Sequence, residues 1–265
     1  MPSSIIDTHA HLDMKPFDPD RRDVIKRAKE SGVSRIVNVG IDLKSSRRAI
    51  ELAEAHTEIS ATVGFHPHEA SQLQTQDLDR LAELAVHPRV VAIGEIGLDY
   101  YRNRSPKETQ LYALQAQLDL AKNLSLPVVI HSRQAETDMV AMLEKWTSSF
   151  EPSDQRIPGV IHCFNGSAQI AERYLEMGFL IAFGAYIGYP TSTDLHNIVS
   201  SIPSDRLVAE TDCPFLPPQR LRGKRNEPSY LLDTIKALAK IRKVSVEVIA
   251  METTRNATRL FGLPA

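Results

Sequence analysis

Eight short runs rich in valine and isoleucine, at residues 4–12, 34–40, 59–65, 89–95, 127–131, 158–162, 178–184 and 206–211, constrain the fold of this chain more than any other feature. Between them lie segments with apolar residues at helical spacing, such as Val24, Ile25 and Ala28, or Leu111, Leu114, Leu118 and Ala121, or Ile170, Ala171, Tyr174 and Leu175. Asp18 before Pro19 opens the first of these and Gly32 lies past its far end, while Ser105-Pro106-Lys107-Glu108 reads as a capping box ahead of a long helix. Runs such as Arg35-Ile36-Val37-Asn38-Val39 and Pro127-Val128-Val129-Ile130 barely alternate, as expected of parallel strands covered on both faces. Eight strand–helix units in 265 residues match an α/β fold of the (β/α)8 TIM-barrel type, although an open doubly wound sheet shares the same local pattern. No Pro/Gly/Ser linker divides the chain, so one domain spanning residues 1–265 is expected.

Composition excludes several classes. With 31 basic and 33 acidic residues the net charge is −2, so nucleic-acid binding requires a local patch rather than a basic surface. Two cysteines cannot form a disulfide framework. The first residues lack the basic start and apolar run of a secretory signal. The longest strongly apolar stretch, residues 179–190, is interrupted by Gly184 and Gly188 and falls short of the about 20 residues that cross a bilayer. A cytoplasmic location and no membrane partner are the expectation.

The ionisable residues carry the chemistry. The first run contains Asp7-Thr8-His9-Ala10-His11; the fourth ends in Glu95, the fifth in His131, the sixth in His162, and the eighth leads into Glu210-Thr211-Asp212. The third leads into His66-Pro67-His68. In a parallel barrel all C-terminal strand ends open on one face, so groups remote in sequence converge there. His9 and His11, two apart on a strand, point to one side and can grip one ion, and Asp7 shares that side. Four histidines, one glutamate and one aspartate exceed what a mononuclear site uses. Two divalent cations are therefore expected: Glu95 bridges them, His9, His11 and Asp212 hold one, and His131 and His162 hold the other. The mixed donor set suits Zn²⁺, Mn²⁺, Co²⁺ or Ni²⁺, and Mg²⁺ more weakly. His56, His87 and His196 fall away from the strand ends and are expected to face solvent. Cys163 and Cys213 each follow a candidate ligand, and alternation along a strand turns both thiols away from the metals.

The motifs Asp7-Thr8-His9-Ala10-His11-Leu12, Gly94-Glu95-Ile96-Gly97-Leu98-Asp99-Tyr100, His131-Ser132-Arg133, Glu210-Thr211-Asp212 and Arg222-Gly223-Lys224-Arg225-Asn226-Glu227-Pro228 resemble, in that order, the TatD-type metal-dependent deoxyribonucleases among the amidohydrolase-like barrels. The resemblance spans nearly the whole chain. It implies a TIM barrel with a divalent-metal centre, ligands at His9, His11, Glu95, His131, His162 and Asp212, and DNase activity, in some members 3′ to 5′ exonuclease. Relatives include a D-aminoacyl-tRNA deacylase, so tRNA is the alternative substrate. A third reading, a nucleic-acid-binding barrel with an idle centre, is disfavoured by the retention of all six ligands. The loop Cys163-Phe164-Asn165-Gly166 departs from the wording of many relatives.

On the nuclease reading, two cations activate a water and stabilise charge on a pentacoordinate phosphorus, while Asp212 and Glu95 act in catalysis. His66 is a candidate donor to a phosphate oxygen. Arg220, Arg222, Lys224 and Arg225 place four cations in six residues after the eighth run, where barrel enzymes often bind phosphate. Arg222 and Asn226 in that loop, with Arg133 beyond His131, are the expected substrate contacts. Tyr100 and Tyr101 fit either base stacking or packing.

Overall fold

The computed structural model describes residues 4–151, 153, 154 and 156–264. Eight strands appear, β1 (Ile5–Ala10), β2 (Val33–Val39), β3 (Ile59–Val63), β4 (Val90–Asp99), β5 (Val128–Arg133), β6 (Gly159–Ile161), β7 (Leu180–Phe183) and β8 (Leu207–Ala209). They form a single sheet in sequence order with every neighbouring ladder parallel. Sequential order settles the topology as a barrel, because a doubly wound sheet reverses direction at a switch point. Closure between the first and last strands uses one parallel bridge, Ala10 to Cys213, with His11 N–H on Cys213 O at 2.9 Å and Asp212 N–H on His9 O at 2.9 Å. This seam lies at the mouth, so closing the barrel also aligns His9, His11 and Asp212.

Helices α1 (Arg21–Glu30), α2 (Leu43–Ala55), α3 (Thr75–Ala85), α4 (Lys107–Leu124), α5 (Glu136–Thr147), α6 (Ala168–Glu176), α7 (Thr193–Ser201), α8 (Leu231–Arg242) and α9 (Val246–Phe261) join or follow the strands. Two apolar layers result, as strand periodicity requires. Ile5, Ile36, Ile59, Ile93 and Ile130 pack against the helices, whereas Ile6, Val37, Val39, Val129, Val160, Leu180 and Val208 form a second cluster. Ala257, Leu260 and Phe261 of α9, together with Leu263, join that second cluster. The last helix thus plugs the barrel against the strands' inner residues and leaves the opposite end for chemistry.

Two local readings need correction. Ser105 does not cap α4; its hydroxyl donates to His68 O and accepts from Ser71 N–H, tying down the loop after β3. β4 continues to Asp99 rather than stopping at Glu95, and Gly97, at φ 151°, permits this because a Cβ there would collide with His131 O. No helix among the described residues is long and apolar enough to cross a membrane.

Candidate metal centre

The six candidate ligands converge at the C-terminal mouth. His9 and His11 turn their Nε2 atoms toward each other at 3.1 Å, and Asp212 Oδ1 stands 3.6 Å from His11 Nε2 and 3.9 Å from His9 Nε2. Glu95 occupies the middle with its two oxygens facing different groups. Oε2 lies 3.4 Å from His9 and 3.8 Å from His11, while Oε1 lies 2.8 Å from His131 Nδ1, 3.5 Å from His66 Nε2 and 3.9 Å from His162 Nε2. His162 stacks on His9 with centroids 3.5 Å apart and reaches Asp212 Oδ1 at 4.0 Å.

Outer hydrogen bonds assign the ring nitrogens. His11 Nδ1–H donates to Val39 O at 3.1 Å and His162 Nδ1–H donates to Glu210 Oε2 at 2.9 Å, so in the neutral rings both Nε2 lone pairs face the centre. His131 lies between two carboxylates, Nδ1 2.8 Å from Glu95 Oε1 and Nε2 3.1 Å from Asp99 Oδ2, which fixes the plane of its ring. His66 has the opposite arrangement: its Nδ1 accepts from His68 N–H at 3.0 Å, so its Nε2 carries the proton. His66 groups spatially with Glu95 and His131, but this tautomer makes it a donor rather than a ligand.

Electrostatics follow from burial and crowding. Burial alone would raise the carboxyls of Glu95 and Asp212; the surrounding imidazoles outweigh it and hold Glu95 well below, and Asp212 below, the usual carboxylate range. Burial lowers His66 to about 4, which keeps it neutral. His162 is lifted to about 10, because the Glu210 carboxylate, with Glu95 and Asp212, overcomes burial. A cation resolves the remaining conflict. His9 Nε2 and His11 Nε2 stand 3.1 Å apart with Glu95 Oε2 and Asp212 Oδ1 3.4–3.9 Å from them, and this close gathering of buried N and O donors suits a positive ion better than a set of neutral rings. The donor set fits divalent cations.

Several residues fall elsewhere than the sequence indicated. Asp7 stands outside the ligand group: it accepts from Thr211 N–H at 2.9 Å and Thr211 Oγ1 at 2.6 Å and fixes the backbone ahead of Asp212. Asn226 is fully buried, its amide donating to Thr211 O and Phe215 O; it holds the loop after β8 and does not open onto the mouth. Of the basic loop, Arg220 pairs with Asp233 and Arg225 with Asp20, while Arg222 and Lys224 have no carboxylate partner among the described residues. Arg222 stacks on Tyr189 with Cζ 4.6 Å from the ring, and Arg133 on Tyr101 at 4.0 Å. Tyr100 is a packing residue, its hydroxyl donating to Asp138 at 2.7 Å. Cys213 is fully buried, but the Cys163 thiol lies within 4.8 Å of ligand atoms of His162 and Asp212. Strand alternation fails there because β6 ends at Ile161 and Cys163 has φ 48°. His56, His87 and His196 are half-buried; His87 bonds Glu54 and His196 donates to Ile187 O.

Sequence reasoning missed three orienting groups. Glu210 was visible at the end of the eighth run, yet its two-residue offset from Asp212 gave no sign that it holds His162 and Cys163 N–H. Asp99 and His68 meet at 2.9 Å beside His131, joining the end of β4 to the segment after β3, which share no local pattern.

A parallel eight-stranded barrel with this carboxylate–imidazole mouth defines a metal-dependent hydrolase of the TIM-barrel type. The chain matches the family described as TatD related DNase over residues 6–262, and it belongs to that family. It is 42% identical over 259 residues to the uncharacterized metal-dependent hydrolase YabD of Bacillus subtilis, covering 98% of this chain and 99% of that protein. It is 38% identical over 265 residues to the 3′-5′ ssDNA/RNA exonuclease TatD of Erwinia amylovora, covering 98% and 100%. The crystal structure of the TatD homologue YJJV from Escherichia coli superposes with a TM-score of 0.92 at 31% identity over the whole of both chains.

Proposed function

We propose that this protein hydrolyses phosphodiester bonds of DNA, releasing nucleotides from the 3′ end, at a centre of two divalent cations. The observation that carries this reading is the division of Glu95: one oxygen faces His9 and His11, the other faces His131 and His162. His9, His11, Asp212 and Glu95 Oε2 would hold one ion, and Glu95 Oε1, His131 and His162 the other. Cations bound there would acidify a water and offset charge developing on phosphorus. The chain's own groups do the rest. Asp212, kept ionised by its imidazole neighbours, orients the attacking water and accepts its proton. His66, neutral with its proton on Nε2, donates a hydrogen bond to a phosphate oxygen. Arg133, Arg222 and Lys224, without a carboxylate partner among the described residues, supply the local positive charge that a net charge of −2 does not. The free thiols Cys163 and Cys213 suit a reducing compartment, and we place the enzyme in the cytoplasm.

The test is metal-depleted protein re-supplied with single ions and given end-labelled single-stranded DNA, duplex DNA, RNA and D-aminoacyl-tRNA. Stepwise nucleotide release from DNA 3′ ends is expected with at least one of Mn²⁺, Zn²⁺, Co²⁺, Ni²⁺ or Mg²⁺. Cleavage of the aminoacyl ester with intact nucleic acid would contradict the proposal.

A further inference from the structure

Among the described residues six large apolar side chains are exposed: Val86, Tyr101, Tyr112, Phe215, Val244 and Met251. Tyr112 and Met251 lie on α4 and α9, Val86 directly follows α3 and Val244 lies between α8 and α9, all away from the mouth. Tyr101 and Phe215 do not. Tyr101 follows the end of β4 by two residues and is 52% exposed; Phe215 lies three residues past Asp212 and is 49% exposed. In an eight-stranded barrel in sequential order, the ends of β4 and β8 are four strands apart and face each other across the mouth. The two rings therefore flank the ligand cluster from opposite sides.

Both are held in place. Phe215 packs edge-on to His11 with centroids 6.1 Å apart, its N–H donates to Asp212 O at 2.8 Å, and its carbonyl accepts from the buried Asn226 amide at 2.7 Å. Tyr101 carries the Arg133 guanidinium at 4.0 Å, on the strand that bears His131. Tyr101 thus carries Arg133 directly, and the loop that bears Phe215 also bears Arg222, stacked on Tyr189 at 4.6 Å; neither guanidinium has a carboxylate partner among the described residues. A ring offered to solvent beside a free cation matches what an unpaired nucleotide presents, a base face next to a phosphate. Paired bases bury those faces against their neighbours.

We propose that Tyr101 and Phe215 form a two-sided stacking clamp that seats the bases flanking the scissile phosphate, with Arg133 and Arg222 on adjacent phosphates. This rests on the nuclease reading and adds the residues that hold the strand's bases.

The experiment uses oligodeoxynucleotides carrying 2-aminopurine at the 3′-terminal or penultimate position, with fluorescence read on metal-depleted protein and KM and kcat read separately on the metal-loaded enzyme. Stacking by the wild type should quench both probes. Tyr101→Leu and Phe215→Leu, which keep apolar bulk but remove the aromatic face, should each abolish quenching at one position. Each should raise KM about tenfold, equivalent to about 1.4 kcal/mol, with kcat little changed. Tyr101→Phe should behave as wild type, and a blunt duplex should show a higher KM than the single strand. Unchanged KM and quenching in both leucine variants of an enzyme that still degrades DNA would overturn the clamp and leave the nuclease reading standing. A wild type that neither quenches nor cleaves any strand would remove both.

Discussion

The mouth of the barrel has two unlike halves. On the β1/β8 side, His9, His11 and Asp212 sit on a seam locked by backbone bonds, and Asp7 underneath ties Thr211 through both its N–H and its hydroxyl. Outside it, Arg225 and Arg27 bind Asp20, and Arg27 also binds Glu227. On the β4/β5 side, His131 is oriented by a carboxylate, Asp99, that also takes His68, and His131 is the most exposed of the four candidate imidazole ligands, at 18% of its side chain. One half is built by closing the sheet; the other stands on the paired ends of β4 and β5, with His68 brought to Asp99 from the segment after β3. On the proposed two-cation reading the sites share Glu95 and yet have separate supports, so each half should be weakened on its own.

Glu95→Gln breaks both halves together. It should lose both cations and reduce turnover by more than about 100-fold, beyond the 10- to 100-fold typical of orienting groups, as measured by metal analysis and steady-state rates. Asp99→Asn should weaken only the β4/β5 site, lowering one of two metal affinities by about 10- to 100-fold in a calorimetric titration. An equal fall at both sites would erase the distinction. On the opposite half, Thr211→Val keeps shape but strips a donor from the buried Asp7 carboxylate; a stability loss of about 1–3 kcal/mol in urea unfolding is expected.

The basic loop offers a smaller contrast. Arg222→Ala should reduce the slope of log KM against log salt by roughly one phosphate contact, whereas Arg220→Ala, already paired to Asp233, should leave that slope unchanged. The smallest effect concerns acid. The hydrogen bond from Arg225 is the main cause holding Asp20 at about 2, with Arg27 adding to it against slight burial. Because this folded value lies below the ordinary 3.8, the pair stabilises the fold above that pH and the benefit disappears as pH falls through about 2. Asp20→Asn should flatten the acid limb between roughly pH 4 and pH 2 in a denaturation series, and an unchanged limb would remove the clamp around the β1/β8 half.

The fold and the convergence of the candidate ligands were legible because both depend on period and position. Uniformly apolar runs mark strands buried on two faces, and a residue that closes such a run lies at the mouth, which is how His131 and His162 announce themselves. Side chains beyond the strand ends were less legible. Cys163 adopts a left-handed backbone past β6, so alternation gave it the wrong direction, and Asn226 looked like a substrate contact although its amide holds backbone carbonyls. Glu210, Asp99 and His68 orient ligands through contacts 48, 32 and 31 residues distant in sequence, and no local spacing encodes such pairs. His66 shows a subtler limit: its position was readable, but its tautomer depends on the His68 N–H that only the folded loop brings to it.

Anomalous X-ray diffraction from crystals loaded with Mn²⁺ or Zn²⁺ would locate the cations outright. Two peaks are predicted, one among His9, His11, Asp212 and Glu95 Oε2, the other among Glu95 Oε1, His131 and His162. A single peak remote from Glu95, or none at the mouth of a loaded and active enzyme, would contradict the two-cation reading.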